Sequence, residues 1–218
     1  MSATPAFDSK VLDDKIALIR SLHEGLGSTL MSTLVALERG AMPPAGVLEV
    51  LRECIDDSRI VIDSLEPIGH DLVVLLATMR HRLGPRLQAA GLTMRWEVKD
   101  LPLLPWLGPS QALQVMRIVQ EALTNVLKHA RASSVRIATS QATDGAGVAR
   151  VVIEIDDNGV GFDFLASGGG RGLSNLKSRA RELDATVAID SERAKGTRVT
   201  LTLPLDRRGI PEYALRHE

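Results

Sequence analysis

Between Ser9 and Arg39 the chain carries neither a proline nor a β-rich cluster, and apolar residues return at Leu12, Ile16, Ile19, Leu26, Leu30 and Leu37. With His23 and Thr33 counted in, the spacing alternates four and three, the rhythm of a helix seam that packs against other helices. Such a helix is about 45 Å long at 1.5 Å per residue. Gly40-Ala41-Met42-Pro43-Pro44 then gives a C-terminal glycine followed by a proline start, the punctuation of a helical hairpin. The second helix repeats the alternation at Leu48, Leu51, Ile55, Ser58, Ile62 and Leu65. A hairpin with one apolar stripe per helix buries both stripes poorly by itself. Pairing with a second copy into a four-helix bundle solves this, so the spacing predicts a homodimer.

Glu66-Pro67-Ile68-Gly69 ends the pattern. From about Gly69 to Leu205 helical stretches alternate with β-branched runs, predicting a second module. The division is 8–67 for the hairpin, 68–206 for the mixed module and 207–218 for a tail. Helices are expected at His70 to Ala90, Pro109 to Ala130 and Leu173 to Leu183. Strands are expected at Thr93 to Val98, Val135 to Ser140, Ala149 to Asp156, Thr186 to Ser191 and Arg198 to Pro204. The last two form a hairpin, so the sheet is mixed and the fold α+β: a helical hairpin followed by an α/β sandwich. Leu101 to Gly108, Ala142 to Gly147 and Asp163 to Arg171 read as loops, and Gly168-Gly169-Gly170 should make the last of them mobile.

Composition narrows the function classes. The 218 residues hold 26 basic and 27 acidic side chains, a net charge of −1, so no global field recruits a polyanion and nucleic acid is not expected as a partner. Cys54 is the single cysteine; it excludes an internal disulfide and a thiolate metal cage and fits a reducing, cytoplasmic compartment. The longest apolar run, Leu72 to Ala77, is far below the ~18 residues of a membrane span, and the N-terminus has no signal pattern. Neither a Walker phosphate loop nor a complete dinucleotide fingerprint occurs, nor an HExxH pair, nor a G-x-S-x-G turn. Any nucleotide is therefore bound by other means.

On the helix ending at Ala130, Glu121, Asn125, Lys128 and His129 share one face, while Val119, Ala122, Leu123 and Val126 share the other. Oxygen ligands for a hard cation and nitrogen donors for phosphate thus stand together, although charge at this spacing also describes a solvated face. After the apolar strand comes Asp156-Asp157-Asn158-Gly159-Val160-Gly161, a carboxylate followed by two glycines, which suits either a flat ligand or an acidic turn. Gly170-Arg171-Gly172-Leu173 opens a helix whose free N–H groups favour an anion. Lys195-Gly196-Thr197 precedes an alternating strand. In the first helix His23 lies next to Glu24 and just before Gly25 and Gly27, each glycine costing up to ~1 kcal/mol there, which predicts a close approach to this stretch.

Taken in order, Glu121 to His129, Asp157 to Gly161, Gly170 to Leu173 and Gly196-Thr197 resemble the N box and three glycine boxes of the histidine-kinase ATPase domain. The hairpin with Leu22-His23-Glu24-Gly25-Leu26-Gly27 is similar to the dimerisation and phosphotransfer module of sensor kinases related to the nitrate and membrane-fluidity sensors, which work with LuxR-type response regulators. The resemblance covers about Asp8 to Leu205. It implies that Asn125 ligates Mg²⁺ on ATP, that Glu121 tunes the metal site and that Lys128 and His129 contact phosphates. Asp157 would accept from the exocyclic amine of adenine with support from Thr197. Gly159 and Gly161 would give backbone clearance, Gly170 and Gly172 would border a lid ending at Leu173, and Arg171 would add a phosphate contact.

The resemblance further implies that His23 is the phosphoacceptor, with Glu24 holding its ring tautomer, and that the joint at Leu65 to Gly69 is a hinge. The phosphoryl group would pass to an aspartate of a response regulator. Membrane attachment would come only through a sensor segment outside this chain. Two positions depart from the pattern: Glu24 stands where the family usually has Asp, and Ser28 where members that also dephosphorylate their regulators often have Gln. An anti-sigma-type serine kinase on the same ATPase fold explains the nucleotide motifs but not the hairpin. A non-catalytic, ATP-responsive dimeric scaffold leaves His23 a seam residue.

Overall fold

The proline-free seam forms α1 (Pro5–Glu38), with a proline at its first position, where the missing N–H costs nothing. Its end is a Schellman closure: Gly40, at φ 65°, donates to Leu37 O, and Ala41 donates to Ala36 O. Pro44 then opens α2 (Pro44–Ser64). The computed structural model describes residues 5–66, 70–145, 147–162 and 171–206. It divides into two compact units, Met1–Pro67 with Gly108–Leu113, and Ile68–Leu107 with Gln114–Glu218. The expected tail, most of the glycine-rich loop and the centre of the expected hinge lie outside the described residues.

In the first unit α1 and α2 pack as a hairpin. Thr33 is buried with its hydroxyl donating to Thr29 O at 2.7 Å, and α2 buries Cys54, Ile60, Val61 and Ser64. Burial pushes the Cys54 thiol above its ordinary value, with Asp57 and Glu53 adding to the shift. The seam itself stays open: Leu12, Ile16, Ile19, Leu30, Leu37, Leu48, Leu51, Ile55 and Ile62 are 40–58% exposed. A Cβ built on Gly25 or Gly27 meets nothing within 4 Å, so no close approach among the described residues explains those glycines.

The second unit contains α3 (Leu72–Ala89), β1 (Thr93–Glu97), α4 (Pro109–Asn125), β2 (Ser134–Thr143), β3 (Ala149–Asp157), α5 (Arg171–Glu182), β4 (Thr186–Glu192) and β5 (Gly196–Pro204), α4 beginning in the stretch that clusters with the first unit. The sheet runs β1-β2-β3-β5-β4, parallel between β1 and β2 and antiparallel elsewhere. This is the mixed α+β sheet that the sequence predicts. Alternation of side chains puts Val151, Ile153, Ile155 and Asp157 of β3 and Val199, Leu201 and Leu203 of β5 on one buried face. Arg82 of α3 donates to Gln120 and Arg179 of α5 to Gln114, so α4 is flanked by α3 and α5.

The opposite face of the sheet carries an ion ladder. Arg136 reaches Glu97, Glu154 and Asp156 at 3.0–3.3 Å, and Arg198 reaches Asp156 at 3.0 Å. Asp144 and Arg150 make a further pair at 2.8 Å beside the β2–β3 turn.

Several expected boundaries shift. The helix expected from His70 begins at Leu72, because His70 takes φ 62° and Asp71 caps the helix by accepting from Val73 N and Val74 N. β2 runs on to Thr143, shortening the expected Ala142 to Gly147 loop, since cross-strand pairing continues to Ala149. The Leu101 to Gly108 loop is present but buries Leu104 and Leu107, held by Leu104 N–H on His70 O and by a His70 Nδ1 bond to Leu107 O. Among the described residues no helix is long and apolar enough to cross a membrane.

Candidate nucleotide site

The helix expected to run from Pro109 to Ala130 is α-helical only to Asn125; Val126–Ala130 form a π-helical turn that ends at Arg131 with φ 49°. The wider turn rotates Lys128 and His129 away from a simple 100° per residue projection. Val119, Ala122, Leu123 and Val126 are buried, as their pattern predicts. Glu121 and Asn125 are half-buried one turn apart, and Lys128 and His129 are exposed. The amide oxygen and carboxylate can serve a hard cation, and the exposed nitrogens can meet an anion. Among the described residues no group of three or more His, Cys, Asp or Glu gathers as a metal cage. A divalent ion there would lean on phosphate oxygens, as Mg²⁺ commonly does.

The end of the π turn is fastened to the turn after β3. Val160 N–H donates to Ala130 O at 2.8 Å, and a Cβ on Gly159 would overlap the Ala130 carbonyl and methyl. Only glycine lets these backbones approach so closely. Gly161, at φ 55°, likewise abuts the Glu192 carbonyl, and Gly196, at φ 83°, abuts the Asp157 carbonyl. The clearance expected of Gly159 and Gly161 is thus used inside the protein, to join three segments at one end of the sheet.

Asp157 sits at that junction, 8% exposed, as the register partner of Thr197 on β5 and Val135 on β2. Its Oδ1 accepts from Gly159 N–H at 2.8 Å, and the Thr197 N–H also donates to the carboxylate. Burial raises its pKa above the ordinary value; the two backbone donors oppose this, and the charge of Asp156 adds to it. A desolvated carboxylate with remaining acceptor capacity is suited to a ligand that brings its own N–H donor.

Two residues with no signal of their own in the sequence organise the junction. Asn158 accepts from Ser133 N and Ser134 N and donates to Ser133 Oγ, which ties the turn to the start of β2. Ser191 on β4 bonds Thr197 Oγ1 at 2.9 Å, accepts from Phe162 N–H and donates to Gly196 O. Only the facing of Ser191 and Thr197 across the last hairpin hinted at it. An open depression of about 530 Å³ nearby is lined by Asp156, Ser191, Lys195, Thr197 and Arg198 among others but not by Asp157. It takes in residues of the ladder side of the sheet and is not the Asp157 site.

The structure therefore brings Asp157, Gly159, Gly161, Thr197 and the end of the Glu121 to His129 segment together. Gly170 lies outside the described residues; Arg171, Gly172 and Leu173 open α5, of which only the backbone is described. His23 and Glu24 are exposed on α1, in the other unit.

Residues 110–207 match the histidine kinase-, DNA gyrase B- and HSP90-like ATPase family. Over 206 residues the chain is 26% identical to the Bacillus subtilis sensor histidine kinase YxjM, covering 89% of this chain and 48% of that protein. It is 28% identical to the Escherichia coli nitrate/nitrite sensor protein NarX over 88% of this chain and 33% of that protein. The histidine kinase domain of the Erythrobacter litoralis EL346 blue-light activated histidine kinase superposes with a TM-score of 0.55 at 16% identity, covering 88% of this chain and 94% of that one. The chain is thus similar over most of its length to part of several sensor histidine kinases, and it spans between a third and a half of the length of the two curated relatives described.

Proposed function

We propose that this core is an ATP-dependent protein-histidine kinase that phosphorylates His23 and passes the phosphoryl group to an aspartate of a response regulator, one of the LuxR type. The observation that carries the reading is the junction of Asp157, Gly159 and Thr197 with the end of the Asn125 helix, in a segment that belongs to the ATPase family. Asp157 accepts from the adenine amine with Thr197 beside it. Asn125, with Glu121 a turn earlier, offers oxygen to Mg²⁺, while Lys128, His129 and Arg171 face the phosphates. Gly170, Gly172 and Leu173 are assigned to the nucleotide in the same reading. Bound Mg²⁺ neutralises phosphate charge, a large part of the catalysis of phosphoryl transfer.

At the other unit, a lone pair of the exposed His23 ring attacks the γ-phosphorus as the bond to the β-phosphate oxygen breaks and ADP leaves. Glu24 holds the ring tautomer and stabilises the positive charge that develops on the imidazole. The joint at Leu65 to Gly69 is the hinge in this reading. The open seam of α1 and α2 supports a homodimeric four-helix bundle. A cytoplasmic location, with any membrane attachment only through a sensor segment outside this chain, completes the reading.

Labelled ATP with Mg²⁺ should give an acid-labile, alkali-stable phosphoprotein. His23→Gln should give none, and Asn125→Ala should lower labelling on the order of 100-fold. Label that persists in His23→Gln, or an acid-stable phosphoserine on a partner, would refute the assignment.

A further inference from the structure

Ser191 lies on β4, outside the four motifs Glu121 to His129, Asp157 to Gly161, Gly170 to Leu173 and Gly196-Thr197, yet three bonds converge on its hydroxyl. Phe162 N–H donates to it at 2.9 Å, it donates to Gly196 O at 3.2 Å, and it shares a 2.9 Å bond with Thr197 Oγ1. A serine hydroxyl has one proton and two acceptor sites. The backbone N–H must use one acceptor site. The proton is used on Gly196 O, which cannot donate. All three bonds coexist in one arrangement only, in which Thr197 donates its hydroxyl proton to Ser191. The Thr197 oxygen is then left with lone pairs alone, on the same side of the sheet as the Asp157 carboxylate, its direct register partner. Both groups facing that end of the site are acceptors.

We propose that Ser191 is a positioning residue that fixes the polarity of Thr197, and that this makes the Asp157–Thr197 end of the site select a 6-amino purine over a 6-oxo purine. The inference rests on the nucleotide-site reading above and deepens it. A 6-amino group brings donors to two acceptors. A 6-oxo group brings lone pairs to lone pairs, and an unreleased Thr197 hydroxyl cannot turn to meet it. Removing the Ser191 oxygen frees the Thr197 proton to rotate toward the ligand, so that the oxo purine gains a donor.

The test compares binding of Mg-ATP and Mg-ITP by calorimetry to the full chain, ITP differing from ATP only in the 6-oxo group and its ring proton. Native protein should prefer ATP. Ser191→Ala should reduce the ratio of the two dissociation constants about tenfold, about 1.4 kcal/mol, mainly by improving ITP binding, and Ser191→Thr should restore the ratio. A merely structural role for Ser191 would weaken both nucleotides alike and leave the ratio unmoved, which would overturn the proposal. Should Ser191→Ala fail to fold, Ser191→Cys, close in shape but a weak donor and acceptor, is read in the same way. Native protein that binds neither nucleotide overturns the nucleotide-site reading and this inference with it. Binding of ATP with an unchanged ratio in the variant overturns this inference alone.

Discussion

Asp156 and Asp157 are neighbours in sequence with opposite fates, because successive strand residues face opposite sides of the sheet. For Asp156, burial would raise the carboxyl, but the bonds and charges of Arg198 and then Arg136 outweigh it and hold the pKa below the ordinary value. It therefore adds stability that is lost as pH falls below the usual aspartate range. Asp157 is the reverse. Its raised pKa means the folded state holds the proton more tightly than the unfolded state, so stability falls as pH rises through the window between the ordinary and the raised value. Asp157→Asn removes that penalty. In urea unfolding the native protein should lose ground to the variant on going from about pH 4 to about pH 7, while the variant binds ATP at least about tenfold more weakly, since an amide can turn a donor toward the adenine amine. A gap between the two proteins that narrows instead over the same rise in pH would contradict the burial argument. At this scale the sequence was informative about charge and glycine but not about register. Asp157, Gly159 and Thr197 stand out by type and order, whereas Asn158 and Ser191 matter only through what pairing sets beside them.

Among the elements, the hairpin and strands were legible because their periods of 3.5 and 2 are long and clean. The π turn was not. Val126-Leu127-Lys128-His129-Ala130 reads locally as ordinary helix, and its widening accompanies a bond from Val160, more than twenty residues away. The mid-helix glycines of α1 predict a close approach, but among the described residues the space around Gly25 and Gly27 is open. Alanine at either position should therefore stabilise the helix by up to ~1 kcal/mol, measured as a raised unfolding midpoint. A lowered midpoint would mean that another molecule occupies that space in solution. If labelling of His23 falls while the midpoint rises, the glycines serve the approach of the second unit or of a partner rather than the hairpin's own packing.

For the whole molecule, the exposed seam sets the association state. Nine large apolar side chains of the seam on α1 and α2 remain 40–58% exposed in one copy, far more than scattered surface hydrophobics require. Ile16→Glu with Ile19→Glu should convert the proposed dimer to a monomer in sedimentation and lower labelling of His23 with little change in ATP affinity, because those residues lie in the unit that lacks the nucleotide junction. A variant that remains dimeric would place the interface elsewhere.

The strand order also dictates how the second unit can assemble. β2 with β3 and β4 with β5 are joined by turns of a few residues, at Asp144–Val148 and Arg193–Lys195. β1 must instead wait for α4 and its following turn to be laid down before it can pair in parallel with β2. Closing long loops is slower than closing short ones. The link from Val160 to Ala130 closes the shorter loop and needs only the β2–β3 ribbon beside the π turn, whereas the Asp157–Thr197 pairing closes a longer one across α5 and needs the second ribbon docked as well. A nascent chain can therefore fasten the π turn to the end of β3 before Thr197 arrives beside Asp157, and an early folding species would hold the helix end of the proposed site while its other end is still unmade.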